Sequence, residues 1–171
     1  EEMWRAMDRG VFSRPLVEAA LRLVPAAAKG DYRQATIKDR EAGAFVIDYR
    51  DNFKAVVLMM NGYVYEGDGG AFTCAIQARG MDKPLGTAFY LQQPDPFAHF
   101  AYLLKAIDTL INTGHPPYPV ERTLLTTGIL DAVMISKHEK NRRVDTPHLD
   151  FRYTPTQYGF ATDPVPKPIK R

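Results

Sequence analysis

The amino-acid sequence reads as an α+β fold: a largely antiparallel open sheet with helices packed on one face. Three observations predict it. Apolar residues recur at helical spacing near both ends of the chain, while residues 44–92 between them change to strand-like runs joined by short links. One of those runs, Ala55-Val56-Val57-Leu58-Met59-Met60, is apolar on both of its faces. A sheet wet on one side alternates with polar residues, so this run asks for cover above and below.

The elements follow in order. The opening segment divides at Gly10, after which Ser13 can cap a helix with Pro15 in its first turn. Leu16, Val17, Ala20, Leu21 and Val24 supply that helix's stripe, and Pro25 ends it. Residues 26–43 are polar, mixed in charge and weakly periodic, and read as a connecting loop.

Two strand runs then span 44–50 and 53–60, separated by Asp51-Asn52, a pair that tolerates the positive φ of a tight hairpin. Two more, at 72–78 and 85–92, lie beyond the Gly67-Asp68-Gly69-Gly70 turn, and the four together read as an antiparallel meander. Asp95 and Pro96 predict the head of a helix lined by Phe97, Phe100, Ala101, Leu104, Ile107 and Ile111, with Gly114 as its stop. A second helix is predicted from Val120, carrying Leu125, Gly128, Ile129, Ala132, Val133 and Ser136. Glycine inside a helix costs about 1 kcal/mol relative to alanine, so Gly128 predicts close approach to a neighbouring element. Alternation of Leu149, Phe151 and Tyr153 predicts an added strand.

With 171 residues, 45% of them hydrophobic, the chain can bury one sizeable core. The expected organisation is a single domain over residues 1–154 and an extended tail over 155–171 carrying Pro164, Pro166 and Pro168. A formal charge of +2 gives no electrostatic case for nucleic acid. The cluster Lys137, His138, Lys140, Arg142 and Arg143 is expected where it is because cations complement the carboxy-terminal end of a helix. A lone cysteine, Cys74, excludes an intrachain disulfide, and alternation with Phe72 and Ile76 predicts it as a small buried hydrophobe. No apolar run approaches the ~20 residues of a membrane span and no signal peptide opens the chain, so a cytoplasmic protein without a membrane anchor is the expectation.

Side chains able to do chemistry are few. Asp95 and His99 stand one helical turn apart and are the weak candidates for an acid–base pair, although a capping aspartate has its oxygen already engaged. His115 sits in the Gly114–Pro117 turn. No metal-like spacing of His, Cys, Asp and Glu occurs, so no metal is expected. Trp4, Tyr49, Tyr63, Tyr65 and Tyr90 could stack on a sugar, with Gln77, Arg79 and Gln92 as polar neighbours, but strand aromatics more often pack across strands.

From Ile107 to Val144 the chain combines Ile107-x-x-x-Ile111, Thr113-Gly114, Pro116-Pro117, a helix with Ala132 and Ser136, and a basic turn into Val144. This order resembles the carboxy-terminal domain of the Gfo/Idh/MocA oxidoreductases, the relatives of glucose–fructose oxidoreductase and inositol dehydrogenase. Phe45–Asn61 and Asp95–Leu104 add to the resemblance, which runs from Leu16 to Tyr153. It implies a domain that shapes a substrate pocket for a sugar-like or cyclitol molecule and forms homo-oligomers through its sheet.

The family holds NAD or NADP in an amino-terminal Rossmann domain with a Glu-Lys-Pro lysine, and neither feature occurs in these residues. Gly67, Gly69 and Gly70 lie between strands without a following helix, and Asp82-Lys83-Pro84 sits in a strand connection. This chain alone is therefore expected to bind no cofactor and to be inactive by itself. Asp95 and His99 match the family's Asp-x-x-x-His spacing but fall too late in the chain to inherit its role. Pro119 and Thr123 replace the serine and glycine that often open the last helix. The competing expectation is a stand-alone, non-catalytic assembly or small-molecule-binding module of the same fold.

Overall fold

The computed structural model describes residues 1–24, 30–37, 39, 41–61, 63–64, 71–89 and 99–156. They form helices and two small antiparallel sheets, an α+β architecture. The chain divides into two compact units, Glu1–Leu91 and Gln92–Arg171.

In the first unit, helix α1 (Glu2–Asp8) ends in a turn closed by Gly10 at φ +78°. Helix α2 (Arg14–Leu21) begins as its sequence predicts, with the Ser13 hydroxyl accepting from the Leu16 amide and proline in the first turn. A third helix, α3 (Tyr32–Ile37), lies inside the stretch read as a loop. Asp31 starts it: its carboxylate accepts from the Arg33 amide at 2.7 Å and the Gln34 amide at 3.3 Å. Six residues are too few to show a helical stripe, which is why periodicity missed it.

Strands β1 (Gly43–Asp48) and β2 (Lys54–Met59) pair antiparallel, Ala44 opposite Leu58 and Val46 opposite Val56. Asn52, at φ +64°, takes the left-handed conformation its position predicts, and the Asp51 carboxylate accepts from the Phe53 amide. Strands β3 (Phe72–Ile76) and β4 (Leu85–Phe89) make a second hairpin, Phe72 opposite Phe89 and Ile76 opposite Leu85.

The four strands do not form one meander. They are two separate two-stranded sheets, so the single open sheet is corrected to a pair of hairpins. The two hairpins are held by different contacts: Val56 and Leu58 of β2 pack on the Trp4 cluster, whereas β3 and β4 pack on α2.

Helix α2 contacts the second hairpin and contributes one residue to the core on which the first hairpin packs. Its Val17 joins Trp4, Met7 and Phe12 in the buried core, against which Ala44, Val56, Leu58 and Met60 of the first hairpin pack. On the second hairpin it packs against β3 and β4. A Cβ added at Gly86 would meet Leu23 Cδ1 at 2.7 Å and the Ala19 carbonyl oxygen at 3.3 Å, so a larger residue there would have to displace the Leu23 tip and press on the α2 backbone.

In the second unit, α4 (Phe100–Thr113) stops at Gly114, whose φ of +69° lets its amide reach the Leu110 carbonyl at 2.9 Å. Asp95 and Pro96, predicted at the head of this helix, lie outside the described residues, as do Tyr65, Tyr90, Gln92 and the tail from 157 on. Ala106 is buried, while Leu104, Ile107 and Ile111 of the predicted stripe stay exposed. Helix α5 (Val120–His138) starts where predicted. Val144–Tyr153 is not a strand: Pro147–Leu149 is one 3-10 turn, with the Leu149 amide donating to the Thr146 carbonyl and the Asp150 amide to Pro147. Pro147 cannot donate to a ladder, and the turn seats Leu149 on α5 at Gly128.

Candidate functional site

Alternation along a strand gives each hairpin an inner and an outer face. In the first, Ala44, Val56 and Leu58 point into the core. The opposite face carries Phe45 beside Val57 and Ile47 beside Ala55, with Met59 at one end. At the other end the Tyr49 ring lies 5.4 Å from that of Phe53. No charged side chain interrupts this face; the charged cross-strand pair, Asp48 with Lys54, sits on the inner side. Phe53, Val57 and Met59 are all exposed, Val57 to 49%.

The second hairpin repeats the pattern. Thr73, Ala75 and Gly86 are partly covered on the side of α2. Its outer face bears Phe72 with Phe89, Cys74 with Thr87 and Ile76 with Leu85, and Phe72, Ile76, Leu85 and Phe89 are each about half exposed or more. Cys74 is thus exposed, not buried as its alternation with Phe72 and Ile76 predicts. Phe72, Cys74 and Ile76 do share one face, but it is the uncovered one, because the small residues Ala75 and Gly86 are on the side that meets α2.

Among the described residues, Trp4, Tyr49 and Tyr63 do not converge on a stacking surface. Trp4 is 3% exposed, and its indole donates to Thr36 at 3.0 Å inside the core. Tyr49 engages Phe53 at the hairpin turn, and the Tyr63 amide donates to Met60. Gln77 is used within its own hairpin, its side-chain amide donating to the Met81 carbonyl at 2.9 Å. Among the described residues, no group of three or more His, Cys, Asp and Glu is placed to hold a metal ion.

His99 stands immediately before α4, its ring centroid 4.5 Å from that of Phe100. His115 Nδ1 lies 2.8 Å from the Thr113 carbonyl, in a turn where the Thr113 hydroxyl accepts from the His115 amide. Past the end of α5, Lys140 and Asn141 take positive φ of 58° and 65°. The Ser136 hydroxyl donates to the Arg142 carbonyl at 2.7 Å, and the Asn141 amide donates to the Ser136 carbonyl. Arg142 donates to Glu139, and Arg143 lies 3.4 Å from Asp145. Arg142 and Arg143 of the basic cluster therefore have acidic partners of their own beside the helix terminus.

One electrostatic cluster of the first unit is structural. Asp8 accepts both guanidinium nitrogens of Arg33, at 2.7 and 2.8 Å, and also pairs with Arg14, so one carboxylate ties α1 to α2 and α3. Hydrogen bonding from Arg33 holds the Asp8 carboxyl below its ordinary range and pushes the Arg33 guanidinium up.

Sequence reasoning found the two-sided apolar strand β2 but not the matching outer face of β3–β4. Its signal was available in the spacing of Phe72, Ile76, Leu85 and Phe89. Among the described residues no helix is long and apolar enough to cross a membrane. No protein-family model matches the chain, and no curated protein or solved structure matches it.

Proposed function

We propose that these residues are the substrate-pocket and oligomerisation domain of a nicotinamide-dependent oxidoreductase acting on a sugar-like or cyclitol substrate. In this reading the NAD or NADP is held by a Rossmann domain outside these residues. The observation that carries it is the charge-free outer face of β1–β2, where Phe45, Val57 and Met59 lie opposite the core side of the same hairpin. Phe53, Val57 and Met59 are exposed on this face, and exposed apolar surface is characteristic of sites that meet a protein, a membrane or a ligand; we take the first of these. The oxidoreductase half of the proposal rests on the resemblance of Ile107–Val144 to the Gfo/Idh/MocA carboxy-terminal signature.

Two measurements test the two halves separately. Light scattering of the wild-type chain should give a multiple of 19.3 kDa, and Val57→Lys should reduce it. A monomeric wild type would remove the assembly role. Calorimetry should detect no nicotinamide binding by this chain alone, and micromolar binding would overturn the assignment of the cofactor to another domain. A coding sequence with no dinucleotide-binding fingerprint beside this segment would favour a non-catalytic assembly module.

A further inference from the structure

We draw no further inference here: the strongest candidate, the charge-free outer face of the β3–β4 hairpin formed by Phe72, Ile76, Leu85 and Phe89, carries nothing because nothing in the structure shows what covers it.

Discussion

The indole nitrogen of Trp4 donates to the hydroxyl of Thr36 across 3.0 Å, joining the first helix to a third that hydrophobic periodicity does not announce. The hydroxyl itself donates to the Tyr32 carbonyl at 2.9 Å, so each partner is satisfied inside the core. Thr36→Val keeps the shape but leaves the indole N–H without an acceptor. A buried donor left unpaired costs about 1–3 kcal/mol, and Thr36→Ser, which keeps the oxygen, should cost clearly less. Because Trp4 is the single tryptophan, denaturant unfolding followed by its fluorescence reads both variants directly. Equal midpoints for the valine and serine variants would show that the hydrogen bond contributes little.

Asp8 predicts a pH dependence of known sign. Its folded carboxyl lies below its ordinary value of 3.8, first because Arg33 donates to it. A depressed folded value contributes stability that is fully present above the unfolded value and is lost as pH falls through the folded one. The stability gap between wild type and Asp8→Asn should therefore be constant near neutral pH and shrink under acid, below about pH 4. Urea midpoints across that range check it. Since the carboxylate is partly exposed, added salt of about 1 M should narrow the gap at neutral pH as well.

Val57 and Leu58 are neighbours in sequence and opposites in environment, so they separate folding from assembly. Leu58 packs on the Trp4 cluster, and a lysine there would lose that contact and bring a charge to the core. Leu58→Lys should cost about 3 kcal/mol or more, judged from large core truncations. Val57→Lys lies on the open face and should change stability by no more than about 0.5 kcal/mol in a monomer. Paired measurements of unfolding midpoint and particle size distinguish the two. Comparable destabilisation by both would mean that the face of Val57 is not free.

How far the sequence could be read depends on which physical signal each feature leaves. Caps and glycines were legible because they act within a few residues: Ser13 accepts from Leu16, Gly114 closes α4 in the left-handed region, and Asn52 turns the first hairpin. Strand identity was legible from composition, but the pairing between strands was not. Nothing local in residues 60–71 says whether β2 meets β3, so a meander and two hairpins look alike until the chain is folded. The same holds for α3, whose six residues are fixed by Asp31 and by distant partners, Trp4 and Asp8, 32 and 25 residues away. Of the candidate site, the two-faced strand β2 was visible as a run of hydrophobes. Which of its faces stays open was decided by α1 and α2, through contacts no spacing records. Alternation at Leu149, Phe151 and Tyr153 suggested a strand because it is equally compatible with a turn that points one residue, Leu149, at a helix.

Gly128 is where the expectation of close approach can be tested most sharply. It lies inside α5, and a Cβ built there would meet three atoms of Leu149: Cδ2 at 2.5 Å, Cδ1 at 3.0 Å and Cγ at 3.2 Å. Two effects oppose each other in Gly128→Ala. Helix propensity favours alanine by about 1 kcal/mol, whereas overpacking costs about 1–3 kcal/mol. The two methyls can turn aside, but the branch-point Cγ at 3.2 Å must also give by a few tenths of an ångström inside a buried contact, so the clash should outweigh the propensity gain and the variant should be destabilised. Shortening the neighbour supplies the control. Leu149→Ala alone should destabilise by removing a buried side chain, but in its presence Gly128→Ala should become neutral or stabilising, because the space is then open. A thermodynamic cycle over the two positions should therefore show a favourable coupling of about 1 kcal/mol or more, the size expected for residues in direct contact. Additive effects would mean that the glycine is not there to admit Leu149.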